Sequence, residues 1–316
     1  MANFGFVFPG QGSQKIGMLG DLAERYTTIQ ETFAEASEAL GMDLWEICQH
    51  DPDDILNQTH ITQPALLTAS VAIWRLWQSM ASSRPSIIAG HSLGEYSALV
   101  CAEVLKLSDA VRLVNKRGQY MQQAVPTGTG AMAAIVGLED AQVRAACTES
   151  ANGQVVSAAN FNSPGQVVIA GHTEAVQRAM EACKAAGAKR ALLLNVSVPS
   201  HCALMEPAAK RLATDLEAID FGPATIPVVQ NVNAKIASDA ESIKQNLLAQ
   251  LHQPVLWVDC VRMMYRSDIR VLMECGPGRV LCGLIKRIEH EFRCFGSDDS
   301  QNLEQMCEEI SDNGEN

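Results

Sequence analysis

The sequence lacks the features that would place this chain in a membrane, on nucleic acid or outside the cell. No apolar run approaches the length of a membrane-spanning helix, and the first residues, Met-Ala-Asn-Phe-Gly-Phe-Val-Phe-Pro, contain neither a basic region nor a cleavage site. Positive charge is scarce, since 24 Lys and Arg face 36 Asp and Glu for a net charge of −12. This balance disfavours general binding to nucleic acid or anionic membranes. We therefore expect no signal peptide, no nucleic acid, no membrane partner and a cytoplasmic location.

Cysteine is present at ten positions, but its spacing excludes the common cysteine motifs. No two cysteines form C-x-x-C, and the nearest pair, Cys275 and Cys282, lacks the spacing of zinc ligands. Most cysteines lie in apolar or helical stretches, where a free thiol behaves as a small hydrophobic group. We therefore predict free core thiols in a reducing cytosol and no metal site.

A dinucleotide-binding loop is missing as well. Gly10 and Gly12 follow the apolar segment Phe4–Phe8, but Lys15 occupies the position of the third glycine in G-x-G-x-x-G. A glycine-rich turn after a first strand still lies at the carboxyl end of a sheet, where α/β proteins collect their functional groups. Gln11 therefore either offers a hydrogen-bond donor near a site or is a plain turn residue.

The segment Ser86–Val100 contains the clearest catalytic signal. Ile87–Ala89 is typical of a short buried strand, Gly90–Gly94 fits G-x-S-x-G, and helix-compatible residues follow. A side chain at either glycine would collide with the neighbouring strand or helix, so the pattern predicts a sharp turn. Ser92 is then an exposed nucleophile beside the free backbone N–H groups of a helix start. The alternative is a serine in an ordinary glycine-rich turn.

An arginine occupies the apolar side of a predicted helix. Asp109–Gln123 is helical with Ser108 as its N-cap, and Arg117 falls in the same apolar arc as Met121. A guanidinium keeps its proton, so a buried one needs an anion. That anion is either a carboxylate of the protein or a carboxylate of the substrate, which arginine binds through two parallel hydrogen bonds.

Two histidines come under consideration for chemistry. Ser200 caps a helix predicted to begin at His201, and a helix N-terminus favours a neutral imidazole that can act as a base. The alternative is a histidine of the core without a chemical role. His91 adjoins Ser92 but points elsewhere from a sharp turn, so we expect it to line the pocket.

The order of predicted elements indicates an α/β fold in two parts. Residues 127–197 predict the order β-α-β-β-α-β, which is ferredoxin-like, and they read as a small domain inserted into a larger one. Residues 1–126 and 198–316 form the large domain with its parallel sheet. We expect a cleft between the domains, with His201 beside it. Further predictions are one helix over Asp21–Leu40, a strand over Val228–Val232 and a loop from Gln250 to Val255.

Several segments match the motifs of one family and keep the family's order over nearly the whole chain. They are Phe8–Gln14, Thr62–Ala65, Gly90–Leu99, Arg117-Gly118, Gly128–Ala133, Asn160–Gln166, Val196–His201 and Glu274–Gly278. The sequence thereby resembles the bacterial malonyl-CoA:acyl carrier protein transacylases of fatty-acid synthesis. Cys275 departs from the pattern, which has an aliphatic residue before Gly-Pro-Gly.

The resemblance implies an α/β-hydrolase-like large domain and ping-pong transfer of a malonyl group from malonyl-CoA to the phosphopantetheine thiol of acyl carrier protein. We expect a monomer that needs no metal or redox cofactor. The implied catalytic groups are the nucleophile Ser92, its base His201, the backbone carbonyl of Gln250 in place of a triad aspartate, and the oxyanion donors Gln11 and the Leu93 amide. The assigned substrate-binding residues are Arg117, His91, Met121 and Asn162.

Two other functions stay open at this level. A serine hydrolase would use water in the second half-reaction, although we find no good candidate for an acid between the serine and the histidine in the chain. A non-catalytic docking module for acidic carrier proteins would need a local basic patch on this acidic chain. Lys189-Arg190, or Arg279 with Lys286-Arg287, would supply such a patch.

Overall fold

The computed structural model describes residues 3–81, 83–196 and 198–312. Its elements in chain order are β1 (Phe4–Phe8), α1 (Gly20–Arg25), α2 (Thr27–Leu40), α3 (Leu44–Gln49), α4 (Thr59–Met80), β2 (Ile87–Gly90), α5 (Gly94–Cys101), α6 (Leu107–Gln123), β3 (Gly130–Val136), α7 (Asp140–Ser150), β4 (Val156–Ser163), β5 (Gln166–His172), α8 (Thr173–Ala185), β6 (Arg190–Leu193), a 3-10 turn (Ala203–Met205), α9 (Glu206–Glu217), β7 (Val228–Val229), α10 (Ala240–His252), α11 (Trp257–Arg266), β8 (Val271–Glu274), α12 (Val280–Ile288), β9 (Arg293–Phe295) and α13 (Ser300–Asp312).

A parallel sheet with the strand order β7-β2-β1-β8-β9 forms the centre of the larger part. Alternate side chains of β1 point to opposite faces, as the pleat requires. On one face Phe6 packs edge-on against Trp74 and Trp77 of α4, with ring centroids 5.4 and 5.3 Å away. On the other face Val7 belongs to a core shared with α11 and α12. Because both faces are covered by helices, the apolar run Phe4–Phe8 is buried throughout.

A second sheet is antiparallel, with the strand order β4-β5-β3-β6. Its elements follow the predicted order β-α-β-β-α-β, which is confirmed. The helices α7 and α8 cover one face and bury Val143 and Val176 against it. The opposite face presents Met132 and Val168 towards Cys202 of the larger part. This second face of the antiparallel sheet therefore lies on the side of the parallel sheet. The expected boundary at residue 197 lies outside the described residues.

Some element boundaries differ from the prediction for local reasons. The helix expected over Asp21–Leu40 is split into α1 and α2, because Tyr26 is extended with φ −132°. Lys106, not Ser108, is the residue before α6. The strand expected over Val228–Val232 ends at Val229, and the chain then turns, with the Gln230 N–H donating to the Lys235 carbonyl.

The cysteines agree with the predicted core thiols except at one pair. Cys282 of α12 and Cys294 of β9 form a disulfide, so the expectation of free thiols is wrong at these two positions. They lie 12 positions apart in the chain, and the packing of α12 against β9 brings them together. Seven of the others are free and buried, namely Cys48, Cys101, Cys147, Cys183, Cys202, Cys260 and Cys275. Across the described ranges, no helix is both long and apolar enough to cross a membrane.

Candidate active site

The G-x-S-x-G segment forms a tight turn between β2 and α5. Ser92 has φ 53°, in the left-handed region, where a non-glycine residue costs about 1–3 kcal/mol. A Cβ at Gly90 would overlap the backbone of Gly94, and a Cβ at Gly94 would overlap the backbone of Phe8 in β1. Both glycines are therefore required for the close approach of strand, turn and helix. Ser92 lies at the carboxyl edge of the parallel sheet.

The Ser92 hydroxyl makes a hydrogen bond with a distant histidine. Its Oγ lies 2.8 Å from Nε2 of His201, and Nδ1 of the same ring lies 2.6 Å from the carbonyl oxygen of Gln250. A carbonyl only accepts hydrogen bonds, so Nδ1 carries the ring proton. Nε2 is then free to accept the proton of the serine hydroxyl.

The position of Gln250 differs from the predicted loop and explains why its carbonyl is available. Gln250 lies in the last turn of α10, where carbonyl groups have no partner within the helix. The Gln250 carbonyl meets His201 Nδ1, and the next carbonyl, that of Leu251, accepts the backbone N–H of His201 at 2.9 Å. The C-terminal end of α10 therefore holds both the ring and the main chain of His201.

His201 is neutral for a different reason from the one expected. The helix start predicted at this position is wrong, because His201 has φ 63° and precedes a 3-10 turn that spans Ala203–Met205. Burial first, and the positive charge of Arg117 second, lower the pKa of His201 to about 3. The imidazole is thus unprotonated at neutral pH, as a base must be.

Arg117 is buried, with 1% of its surface exposed. Nη1 donates to Oε1 of Gln63 at 2.7 Å, Nη2 donates to Oε1 of Gln250 at 3.0 Å, and the guanidinium lies 5.3 Å from the ring centre of Tyr96. These hydrogen-bond partners are neutral amides, and Nε has no hydrogen-bond partner. Among the described residues no Asp or Glu lies within ion-pair distance of Arg117, so its direct partners are amides and not the protein carboxylate of the predicted alternative. The buried carboxyl group of Glu95 still attracts the guanidinium from beyond that distance.

Close packing of two helices brings Arg117 to its amide partners. A Cβ at Gly118 would overlap the backbone of His60 at the start of α4. The glycine therefore lets α6 approach α4 closely enough for Arg117 to reach Gln63. The motif Arg117-Gly118 combines the charged group with the small residue that admits it.

A cavity of about 450 Å³ lies between the edge of the parallel sheet and the open face of the antiparallel sheet. Its walls contain nearly all residues to which the sequence assigned a role, namely Gln11, His91, Ser92, Leu93, Arg117, Met121, Asn162 and His201. Gln250 lies behind the wall, in contact with Arg117 and His201. Met132 and Val168 of the antiparallel sheet complete the lining. The structure thus gathers the predicted residues around one cavity.

The remaining predicted residues occupy distinct positions. His91 donates from Nε2 to Oδ1 of Asn162 on β4 at 2.8 Å, and so connects the serine turn to the antiparallel sheet. Leu93 is the residue before α5, where backbone N–H groups lack helical partners. The Gln11 side chain is exposed and its Nε2 contacts Oγ1 of Thr59 at 3.3 Å, while Met121 is buried.

Sequence reasoning missed three polar residues that hold the site together. Gln63 accepts from Arg117, and Asn231 accepts the Ser92 N–H at 2.7 Å while its Nδ2 donates to the Gly90 carbonyl at 2.7 Å. The third is Glu95, which is fully buried beside them. Each has a local signal, because Gln63 lies within a family motif, Glu95 follows G-x-S-x-G, and Asn231 follows a short apolar strand.

The fold and the site define a class of protein before any comparison is made. A hydroxyl on a strained strand–helix turn, bonded to a neutral buried histidine, is the arrangement of enzymes that use a nucleophilic serine. Comparison with known families agrees with this class. The acyl transferase domain family matches residues 5–294.

Individual relatives narrow the family. The malonyl CoA-acyl carrier protein transacylase of Salmonella typhimurium is 61% identical over 288 residues, 91% of this chain and 93% of that protein. The solved transacylase structure from Coxiella burnetii is 49% identical with a TM-score of 0.96 and covers 98% of both chains. A malonyl-transacylase in complex with a type II PKS acyl-carrier protein is 56% identical with a TM-score of 0.96, covering 98% of this chain and 100% of that one. The chain therefore belongs to the acyl transferase family, among the malonyl CoA-acyl carrier protein transacylases.

Proposed function

We propose that this protein transfers a malonyl group from malonyl-CoA to the phosphopantetheine thiol of an acyl carrier protein. It thereby supplies malonyl-acyl carrier protein for fatty-acid biosynthesis. One observation carries the proposal: the Ser92–His201 pair, with its 2.8 Å hydrogen bond, shares a cavity with Arg117, a buried cation whose direct hydrogen-bond partners are neutral amides. The pair suits acyl transfer, and the unpaired cation suits an acyl group that ends in a carboxylate.

In the first half-reaction His201 Nε2 takes the proton of Ser92 as Oγ attacks the thioester carbonyl of malonyl-CoA. The new C–O bond gives a tetrahedral intermediate, and collapse breaks the C–S bond. His201 then gives its proton to the leaving sulfur of coenzyme A, which leaves Ser92 as a malonyl ester. While the ring is protonated, the Gln250 carbonyl holds its Nδ1–H and stabilises the cation.

The oxyanion of that intermediate needs two donors. The Leu93 N–H at the start of α5 and Gln11 after β1 are the proposed ones, since both residues line the cavity next to Ser92. Each such donor contributes about 3 kcal/mol to stabilisation of the transition state. Because the Gln11 side chain contacts Thr59, its backbone N–H is the donor that needs no side-chain rearrangement.

In the second half-reaction the phosphopantetheine thiol of the carrier protein replaces coenzyme A. Its proton passes to His201 Nε2 as the sulfur attacks the malonyl ester, and the same proton returns to Ser92 Oγ when the ester C–O bond breaks. The steps balance without electron transfer, so no metal or redox cofactor is needed. The acceptor distinguishes this enzyme from a hydrolase, which would use water.

Arg117 supplies the selectivity for a diacid. The malonyl carboxylate would accept hydrogen bonds from the guanidinium and satisfy the charge that the neutral amides of Gln63 and Gln250 leave uncompensated. An acetyl group would leave that buried charge unpaired, which is the strong kind of discrimination. His91, Met121 and Asn162 line the same cavity and are proposed to contact the substrate.

We also propose a division of the chain into two domains. We assign residues 1–126 and 198–316 to an α/β-hydrolase-like domain and residues 127–197 to a ferredoxin-like one. Separate hydrophobic cores under the two sheets support the division, and the β-α-β-β-α-β order with antiparallel pairing supports the second description.

A monomer suffices for this function, because every proposed catalytic and substrate-binding residue comes from one chain. We also propose a cytoplasmic location, because seven free, buried cysteines suit a reducing compartment. The Cys282–Cys294 disulfide stands against that expectation.

Intact-protein mass spectrometry after mixing with malonyl-CoA tests the chemistry. We expect the mass of one malonyl group to be added, and none to be added to Ser92→Ala. Ser97→Ala is the matched control, since Ser97 is a buried serine of α5, the helix that follows Ser92. This variant should still be acylated at Ser92. A burst of coenzyme A, then slow turnover until a carrier thiol is added, is expected. Fast steady turnover in water would indicate the hydrolase, and an unmodified protein that releases no coenzyme A would reject both.

A further inference from the structure

A buried carboxylate lies directly behind the proposed catalytic residues. Glu95 is the second residue of α5, and none of its surface is exposed. Its Oε2 accepts two hydrogen bonds, from the backbone N–H of Asn231 at 2.9 Å and from Nε2 of Gln250 at 2.9 Å. Its Oε1 faces Nε2 of Gln230 at 3.3 Å. One oxygen atom therefore contacts the two residues that hold the rest of the site.

Each of these two residues supports a different part of the site. The Asn231 side chain binds the serine turn on both sides, through the Ser92 N–H and the Gly90 carbonyl. The Gln250 carbonyl orients His201, and its side chain contacts both Arg117 and the Ser92 carbonyl, the latter at 3.0 Å.

The carboxylate, together with the Ser92 carbonyl and Oδ1 of Asn231, also decides which way the Gln250 amide points, because all three accept from its Nε2. A carboxylate oxygen without a proton only accepts hydrogen bonds, and a guanidinium only donates them. Nε2 of Gln250 must therefore face Glu95, which leaves Oε1 to accept from Arg117. The opposite orientation would put two acceptors together at Glu95 and two donors together at Arg117. A chain of polar groups, Glu95–Gln250–Arg117, thus sets the position of the guanidinium.

We propose that Glu95 is a positioning residue for acyl transfer, which through Asn231 and Gln250 sets the serine turn and the malonyl-binding guanidinium. This inference rests on the proposed function. Glu95 does not line the cavity, so it acts through the residues that do.

The position of the acceptor oxygen matters more than its charge. Burial raises the pKa of Glu95 to about 7, so the carboxyl group is partly protonated near neutral pH. A proton on Oε1, the atom that faces Gln230, leaves Oε2 able to accept both hydrogen bonds. Glutamine has the same shape and keeps a carbonyl oxygen at the Oε2 position, so it can replace Glu95 there. Its NH2 group meets Nε2 of Gln230 at the Oε1 position, and the Gln230 amide must turn to relieve this longest of the three contacts. Alanine cannot replace Glu95 because it has no acceptor. Aspartate cannot replace it because its side chain is one methylene shorter and places the acceptor oxygen farther from Asn231 and Gln250.

The experiment measures acylation of Ser92 by malonyl-CoA and by acetyl-CoA, as coenzyme A release per folded protein. Glu95→Ala should slow malonyl transfer about 100-fold, the cost of misplacing reacting groups by about 1 Å, and lower the malonyl-to-acetyl ratio about tenfold or more. Glu95→Gln should stay within about fivefold of the wild type for both, since it keeps the acceptor.

Glu274→Ala and Glu274→Gln are the matched controls. Glu274 is also fully buried, its pKa is also raised by burial to about 7, and it accepts two backbone hydrogen bonds, from Leu281 at 3.0 Å and Cys282 at 2.8 Å. It does not line the cavity. Its variants should lower stability and leave the malonyl-to-acetyl ratio unchanged. Glu274 has no hydrogen bond to Asn231, Gln250 or Arg117, so the loss of this buried carboxylate should not move the guanidinium.

The outcomes separate this inference from the proposed function. A wild-type protein that malonyl-CoA does not acylate rejects the function. A functional wild type with an unchanged ratio in Glu95→Ala rejects the positioning role. If Glu95→Ala does not fold, the pair Glu95→Gln and Glu95→Asp decides: the ratio should fall in the aspartate variant alone, and a fall in the glutamine variant with none in the aspartate variant would show that charge, not geometry, matters.

Discussion

The two sheets face the same cavity and contribute different kinds of residue to it. The parallel sheet contributes residues from the turns after its strands, such as Gln11 after β1 and Ser92 after β2, and Asn231 after β7 supports Ser92 from behind the cavity wall. The antiparallel sheet contributes side chains from the middle of its strands, such as Met132 and Val168.

The difference follows from strand direction. Parallel strands all end at one edge, so the turns that follow them meet there and bring backbone N–H groups and polar side chains together. Antiparallel neighbours run in opposite directions, so what such a sheet offers is a face of alternating side chains. We infer that the parallel edge performs the chemistry, and that the antiparallel face shapes the space for the acyl group.

The largest effect should come from the parallel side of the site. His201→Ala removes the group that takes the Ser92 proton, so we expect acylation by malonyl-CoA to slow by about 10⁴-fold or more. Rapid-quench measurement of the malonyl adduct would show it. His60→Ala, which removes a part-buried hydrogen bond to Gln122 outside the cavity, should react near the wild-type rate. A loss of less than about tenfold in His201→Ala would contradict the comparison of the two sheets, because His201 would then not be the base that serves Ser92 at the edge of the parallel sheet.

Arg117→Ala should give the next largest effect. Malonyl transfer should fall by about 100-fold or more relative to acetyl transfer. The variant removes the guanidinium that binds the malonyl carboxylate, and an acetyl group has no carboxylate that depends on this contact. Competition between the two thioesters, read as the ratio of mass adducts on Ser92, measures this directly. Arg117→Lys should recover only part of the ratio, since lysine keeps the charge but lacks the planar fork. An unchanged ratio in the alanine variant would contradict the proposed binding of the malonyl carboxylate by Arg117.

A substitution on the antiparallel sheet should cost less. Asn162→Ala removes the partner of His91 Nε2 and one polar group of the cavity wall, for an expected loss of about tenfold in kcat/KM. Steady-state kinetics with malonyl-CoA would give the value, and the loss should lie mainly in KM. A fall in kcat as large as that of His201→Ala would contradict the division of labour between the sheets.

The smallest effect on activity, and a clear one on stability, is expected from Glu274. Burial raises its pKa from the ordinary 4.5 to about 7, so the folded protein binds this proton more tightly than the unfolded chain does. The resulting stabilisation is complete below about pH 4.5 and is lost as the pH rises through about 7.

We therefore expect Glu274→Gln to flatten the pH dependence of stability. The free energy of unfolding of the wild type should fall by about 2 kcal/mol more between pH 5.5 and 8 than that of the variant. Urea denaturation at the two pH values measures the difference, and comparison with the variant cancels the repulsion from the net charge of −12. Parallel curves for the two proteins would show that the pKa of Glu274 is not raised.

Local patterns were sufficient for the serine turn and for the burial of Arg117. Gly90, Ser92 and Gly94 meet neighbours only a few residues away or on the adjacent strand, so their spacing already predicts the turn. Arg117 lies on the apolar side of α6 because helical periodicity puts it there. The alternation of strands and helices likewise predicted both sheets.

Contacts between distant segments could not be derived in this way. Gln250 lies in a helix instead of the predicted loop, and its carbonyl meets His201 49 residues away. Asn231 contacts Ser92 across 139 residues, and Glu95 contacts Gln250 across 155. The helix N-terminus expected to keep His201 neutral is absent, and burial does so instead.

The sequence by itself determined the strained turn of Ser92, the order of elements in both sheets and the placement of a cation on an apolar helix face, because short-range sterics and periodicity decide these features. Only the tertiary structure decided that the cation meets neutral amides, that a helix end holds the histidine and that Glu95 connects them. Hydrogen-bond partners of buried groups depend on which chain segments pack together, and no local pattern of residues encodes that choice.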